Sequence, residues 1–340
     1  MDLGSGNNMK NQLIISGAIA LALGSLSACV AQDPVSLEIG NNIQPVYTAP
    51  DSYADHRNQQ QLLETDDGNI AFTDHGSGPV IVLLHGVPTS SWMYRKVVPL
   101  LQDDMRVITV DFLGYGSSDK PEDGGETYSA AAQARRVQAV LDHVQVEDHA
   151  LLMHDMGGLV AWEMLAAEPE TVSHLVVLNT IVSETGFNRP NLKAGAVTRQ
   201  ITKAYTGALT SVAILENTFK TLGLTGKHKL TEAECFGYVA PMREGSNTAL
   251  YSFFTTLDSD MLSELDQNND EMLPRYQGET LVLWGANDDV LTAEQIPILQ
   301  ERLNIPDQNI HIFDDTAHFI AEERPDDIAR EVKAFVGIGD

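Results

Sequence analysis

The sequence predicts an α/β fold, with a mostly parallel central sheet flanked by helices on both faces and a helical segment inserted late in the chain. Three observations predict it. Short, nearly continuous apolar runs recur at residues 80–84, 107–110, 150–153, 175–178, 281–284 and 310–313, as expected of strands buried on both faces of a parallel sheet. Helix-length amphipathic stretches alternate with them at 130–144, 159–167, 293–303 and 325–335, the pattern of an α/β sandwich. The interval 181–275 breaks this alternation, since it holds no strongly apolar strand run and is too long for a simple crossover. It reads as several helices lying over the strand ends, where sheets of this kind bind ligands.

The first 28 residues read as a removable signal. Met9-Lys10-Asn11 opens an apolar run from Leu13 to Leu26 that ends in Leu26-Ser27-Ala28-Cys29, the arrangement of a bacterial lipoprotein signal. The run is shorter than the roughly 20 residues that a spanning helix needs. Translation starts at Met1 or Met9. Cleavage would leave Cys29 lipidated, and Val30 behind it is not the aspartate that retains lipoproteins at the inner membrane. An outer-membrane anchor facing the periplasm is the expectation. The alternative is cleavage near Ala31 and release as a soluble periplasmic protein.

Residues 29–61, with Asn41-Asn42, Pro45, Pro50 and Gln59-Gln60-Gln61, show neither helical nor strand periodicity and read as a polar tether. The folded part is then expected over 62–180 and 276–340, with a cap over 181–275. Cys235 is the only other cysteine, so the mature chain has no intramolecular disulfide, and its stability must come from a core that about 310 residues can supply.

The net charge of −27 repels nucleic acid and anionic membrane surfaces and reads as solubility rather than as a cationic partner's docking site. No Cys/His cluster stands at metal-binding spacing, and neither a metal nor an organic cofactor is expected. Oligomeric state is not legible.

The run Leu151-Leu152-Met153-His154-Asp155-Met156-Gly157-Gly158 has the form of a strand, a sharp turn and a helix, with Asp155 at the tip. A serine there attacks acyl carbon, whereas a carboxylate can displace a leaving group from saturated carbon and itself become an ester. The plain alternative is that Asp155 only caps the following helix. A nucleophile at such a turn predicts an acid and then a histidine further along the chain, and both are present. Asp288, with Asp289 in reserve, lies in the polar loop after the run 281–284, and His318 lies in the loop after 310–313. His311, inside that last run, reads as a packed or surface ring.

With these residues in order, the chain resembles the α/β-hydrolase fold family, and within it the branch of haloalkane dehalogenases and epoxide hydrolases. The likeness spans roughly 62–335. His85-Gly86-Val87-Pro88-Thr89-Ser90-Ser91-Trp92-Met93-Tyr94-Arg95 is similar to that branch's oxyanion loop, and Asp111-Phe112-Leu113-Gly114-Tyr115-Gly116-Ser117-Ser118-Asp119-Lys120-Pro121 to its next strand-end loop. The resemblance implies an oxyanion hole made by the backbone N–H groups of Val87 and Met156, with an ester on Asp155 hydrolysed by water that His318, oriented by Asp288, activates. It also implies a small, neutral, mostly apolar substrate. In some relatives the acid follows an earlier strand, at the position of Asn179, which cannot play that part.

The leaving group is open at this point. Dehalogenases of this branch hold halide with an indole after the nucleophile and a second Trp or Asn in the oxyanion loop, where this chain has Met156 and Val87. Epoxide hydrolases use cap tyrosines, for which Tyr238 and Tyr251 stand ready, and His154 before the nucleophile is similar to theirs. The Pro-Thr-Ser-Ser, Ser-Asp-Lys-Pro and Tyr238-Val239-Ala240-Pro241 stretches are nearer to dehalogenases. By lineage the reading is haloalkane dehalogenase-like, with epoxide hydrolysis as the alternative. A binding protein that kept the fold and lost the chemistry is the rival outside enzymes. Met156, where a fluoroacetate-type enzyme would carry arginine, and the absence of a Gly-x-Ser-x-Gly motif weaken the defluorinase and esterase readings.

Overall fold

The computed structural model describes residues 47–122, 125–188, 195–257 and 259–338. The signal segment 1–28, Cys29 and the tether up to residue 46 lie outside the described residues. No described helix is long and apolar enough to cross a membrane.

The strands are β1 (Gln61–Thr65), β2 (Gly68–His75), β3 (Val80–Leu84), β4 (Arg106–Val110), β5 (His149–Asp155), β6 (Val172–Thr180), β7 (Glu279–Gly285) and β8 (Ile310–Phe313). They form one sheet in the order β1-β2-β4-β3-β5-β6-β7-β8. From β4 to β8 every pairing is parallel, whereas β1 and β2 add an antiparallel edge. The six apolar runs are the six parallel strands. The hairpin carries no such run: only its second strand is well buried, and its tight Asp66-Asp67 turn joins strands laced with polar residues.

Helices cover the sheet. Along the chain these are α1 (Tyr53–Asn58), α2 (Val98–Leu101), α3 (Ala130–His143) and α4 (Met156–Ala167). Ser129 starts α3 by accepting the Ala132 N–H, satisfying one of the free donors of the first turn. α4 lies very close to the sheet, because a Cβ on Gly157 would meet the Leu84 carbonyl oxygen at 2.5 Å and one on Gly158 the Thr180 Oγ1 at 2.0 Å. β5 is buried along its whole length. Each of its leucines contributes on the order of 2 kcal/mol of hydrophobic stabilisation.

Between β6 and β7 the chain forms α5 (Gly195–Ala208), α6 (Val212–Leu222), α7 (Glu232–Pro241), α8 (Asn247–Thr256) and α9 (Ser259–Met272). Thr231 and Glu234 close a reciprocal capping box at the start of α7. This segment packs over loops at the carboxyl ends of the strands. A Cβ on Gly237 would strike the Trp92 indole at 2.2 Å, and Gly114 sits against Ala249. The chain closes with α10 (Gln295–Leu303), α11 (Ile320–Glu323) and α12 (Pro325–Phe335). Pro325 begins α12, where its missing N–H is not needed.

One expectation is corrected. The tether was drawn to residue 61, but residues 47–61 are folded onto the domain. Tyr47, Tyr53, His56 and Gln60 are buried. His56 lies 3.0 Å from both the Tyr47 hydroxyl, at Nδ1, and the Ser91 hydroxyl, at Nε2, and Gln60 donates to the buried Asp111 at 2.8 Å. Asp111 also accepts the N–H groups of Ser91 and Ser117 at 2.8 Å each. A buried carboxylate needs such partners, and part of its shell comes from this segment. Local sequence shows no periodicity there because distant polar groups hold it.

Candidate active site

Asp155 ends β5 and precedes α4 with φ 51° and ψ −119°. This backbone geometry is sparsely populated for a residue with a side chain, and the surrounding packing must hold it. The strand feeds in from one side and the helix leaves closely packed on the other, so the side chain projects from the tip of the turn. Gly86 makes room for it: a Cβ there would lie 2.4 Å from the Asp155 Cβ. The cap alternative fails, because the Asp155 side chain makes no capping bond to α4.

The two carboxylate oxygens of Asp155 have different surroundings. Oδ1 accepts the Val87 N–H at 2.7 Å, and the Met156 N–H adds to the same carboxylate. Oδ2 stands 3.8 Å from His318 Nε2. Burial pushes the acid's pKa up, and the His318 ring and the Val87 and Met156 N–H groups offset part of that rise.

His318 Nδ1 lies 2.8 Å from Asp288 Oδ2. A carboxylate accepts here, so Nδ1 carries the proton and Nε2 turns its lone pair towards Asp155. Burial opposes charging the ring, but Asp288 first and Asp155 second outweigh it, and the imidazole pKa is raised. Asp288 is 2% exposed whereas Asp289 is exposed, which selects the first of the pair. Asp288 Oδ1 accepts the N–H groups of Val290 and Leu291 at 2.8 and 2.9 Å.

Two neighbours that the sequence reading names take places in the site that it did not assign. Asn179, at the end of β6 with φ 23°, donates to Asp288 Oδ2 at 2.8 Å and accepts the Gly285 N–H at 2.9 Å. It cannot be the acid, yet it holds the acid. Its signal was a polar residue closing an apolar strand. His154 donates from Nε2 to the His318 carbonyl at 2.9 Å, and the two rings lie 4.7 Å apart. Burial first, then the His318 ring, holds His154 well below the ordinary imidazole range, so it stays neutral and anchors the loop.

The cap tyrosines fare differently. Tyr238 is corrected as a leaving-group contact: it is 1% exposed, and its hydroxyl donates to Glu322 within a buried cluster that includes Arg95. Tyr251 is half-buried on α8, and among the described residues its hydroxyl makes no hydrogen bond to Asp155 or His318. All three indoles are engaged by backbone carbonyls: Trp92 with Glu234 at 3.1 Å, Trp162 with Ile181 at 2.9 Å and Trp284 with Leu291 at 3.1 Å.

This arrangement sets a buried carboxylate against a pair of N–H donors on one side and the lone pair of a neutral, acid-backed imidazole on the other. It can attack an electrophilic carbon and then deliver activated water to the resulting ester.

Residues 79–232 match the family model described as alpha/beta hydrolase fold. The chain is 26% identical over 289 residues to a cis-3-alkyl-4-alkyloxetan-2-one decarboxylase of Shewanella oneidensis, covering 82% of this chain and 88% of that one. It is 27% identical over 270 residues to a haloalkane dehalogenase of Mycolicibacterium paratuberculosis, covering 77% and 85%. A crystal structure of a haloalkane dehalogenase loop variant from Bradyrhizobium elkanii superposes with a TM-score of 0.63 at 20% identity, over 82% of this chain and 97% of that one.

Proposed function

The chain is an α/β-hydrolase, and from that premise we propose that it hydrolyses small, neutral, mostly apolar electrophiles through a covalent ester on Asp155, in the manner of a haloalkane dehalogenase. The observation that carries this reading is the unequal setting of the two Asp155 oxygens. Oδ2 is free to attack saturated carbon in line with the leaving group, forming the O–C bond as the leaving group departs with its electron pair. Oδ1 becomes the ester carbonyl oxygen, already facing the Val87 N–H. His318 Nε2 takes a proton from water as the hydroxide adds to the ester carbonyl carbon, and the charge that develops on Oδ1 falls on the N–H pair. Each such donor contributes about 3 kcal/mol at this step. Collapse releases the alcohol, which takes the proton back from His318, and the Asp155 carboxyl, still carrying the second proton of the water, gives it up to solvent and returns to the carboxylate. No cofactor or metal enters these steps.

The leaving group admits two readings. Carbon–halogen hydrolysis rests on the similarity to haloalkane dehalogenases. Epoxide opening to a vicinal diol is favoured by one observation: every indole N–H is spent on a carbonyl, and Met156 and Val87 stand where side-chain halide donors would be.

The test is the His318→Gln variant, exposed separately to 1-bromobutane, styrene oxide and a cis-3,4-dialkyl oxetan-2-one, the last because of the similarity to the Shewanella protein. An adduct mapped to Asp155 from one probe alone assigns the leaving group. A single turnover of the unaltered enzyme in oxygen-18 water should leave the label in the Asp155 carboxylate. A folded variant that forms no adduct with any probe overturns the covalent reading in favour of a silent binding protein.

We also propose that Cys29 carries lipid and anchors the enzyme to the outer membrane facing the periplasm, on the basis of the signal pattern that ends at that residue. Metabolic labelling with a palmitate analogue, abolished by Cys29→Ser, tests this. An unlabelled, soluble periplasmic product would reject it.

A further inference from the structure

The carboxylates of Asp155 and Asp288 take their hydrogen bonds from residues of the core, whereas the segment carrying His318 is stitched to the cap. Phe319 donates its N–H to the Gly223 carbonyl at 2.8 Å, and its ring stacks on Phe219 with centroids 4.1 Å apart. Gly223 must be glycine-sized for this contact, because a Cβ would fall 2.2 Å from the Phe319 ring. Glu323 bridges both sides. Its Oε2 accepts the Ala317 N–H, one residue before His318, at 2.7 Å. Its Oε1 accepts the Thr225 N–H at 2.8 Å and also the Thr225 hydroxyl.

Glu322 repeats the connection on the next element. It accepts from Tyr238 of α7 and pairs with Arg95 and Lys96 beyond the oxyanion loop. Arg95 reaches on to Glu234 of α7 at 2.8 Å.

We infer that the seat of the cap sets the position of His318, and that Glu323 and Thr225 are positioning residues for ester hydrolysis and not for ester formation. This rests on the proposed roles of Asp155 and His318. The alkylation step uses Asp155, whose supports are Val87, Gly86 and Thr180, none of them on the cap. Hydrolysis requires His318 Nε2 to reach a water beside the ester, and a displacement of about 1 Å at such a position slows a step by up to two orders of magnitude. A loosened cap contact should therefore stall the second half-reaction and leave the first intact.

The experiment compares the unaltered enzyme, Glu323→Gln, Thr225→Val, Thr225→Ser and His318→Gln on whichever probe is turned over. In Glu323→Gln and Thr225→Val, kcat and KM should fall together by about tenfold while kcat/KM holds, with the ester on Asp155 accumulating in the intact mass during turnover. Thr225→Ser, which keeps the hydroxyl, should restore turnover. A fall in kcat/KM at unchanged KM with no accumulated ester overturns the inference, and Thr225→Val keeps the test open should Glu323→Gln fail to fold. If His318→Gln traps the ester and the cap variants do not, the inference alone fails. If His318→Gln traps nothing, the covalent reading fails and takes the inference with it.

Discussion

His318 Nε2 lies 3.8 Å from Asp155 Oδ2, too far for a hydrogen bond between them and close enough for a water or an ester oxygen to be shared. On its other side the same ring is only 2.8 Å from Asp288. The imidazole is thus bound tightly to one acid and held off the other, as a base should be if the second acid is to act as a nucleophile.

The pH dependence follows from the two shifted groups. Attack requires Asp155 ionised, and burial raises its pKa. Water activation requires His318 neutral, and the two carboxylates raise its pKa. Both requirements are lost as pH falls, so activity should decline towards acid, with kcat limited by His318 at a pH above the ordinary imidazole value. His318→Gln should abolish ester decay and that limb with it, while the rate of ester formation, with or without the substitution, follows the ionisation of Asp155. Stopped-flow rates of ester formation and decay across pH test this; a kcat limb at the ordinary imidazole value would contradict it.

Gly86→Ala places a methyl 2.4 Å from the Asp155 Cβ. The sheet cannot yield at that point without shifting the oxyanion loop, so ester formation should slow by about a hundredfold or more. The substitution should also lower stability by roughly 1–3 kcal/mol through overpacking. Denaturant titration beside single-turnover kinetics separates the two effects.

Asn179→Ala removes a donor from Asp288 and leaves the buried Gly285 N–H without its acceptor, at a loss of about 1–3 kcal/mol. Ester hydrolysis should slow about tenfold as Asp288 loosens, while alkylation stays within a factor of about two. Asn179→Asp should be worse, since two carboxylates would then share one buried site. Measured kcat equal to that of the unaltered enzyme would deny Asn179 its place in the hydrogen-bond shell of the acid.

A chain beginning at residue 46 should fold like the full chain, whereas one beginning at residue 62 loses Gln60 from Asp111 and exposes Trp92, and should be strongly destabilised or insoluble. His56 adds a pH signature. Burial holds its imidazole down to about 4 in the folded state, so below the ordinary value the unfolded chain takes up a proton that the folded chain refuses. Stability should fall as pH drops from about 6.5 towards 4, and His56→Asn should lessen that fall, with His154, His149 and His85, also lowered by burial, supplying the rest. Thermal melts across this range decide it.

The central strands were legible because burial on both faces demands continuous apolar runs, and β5 and β7 are the clearest of these. The order of Asp155, Asp288 and His318 was legible because the turn after β5 admits few chemistries and its partners follow in sequence. The hairpin β1-β2 was not, since an edge strand need not be apolar throughout. Residues 47–60 were misjudged as tether for a related reason: their partners, Ser91, Asp111 and Ser117, are remote in sequence.

The sequence alone therefore determined the α/β sheet, the place of Asp155 at the turn after β5 and the residue types beside it, since these depend on local runs and on residue type. Only the tertiary structure decided that Asn179 and His154 hold the acid and base, that Tyr238 belongs to a buried ion cluster and that the His318 loop is tied to the cap. Those are contacts between side chains far apart in the chain, and such contacts come from packing, which leaves no periodicity to read.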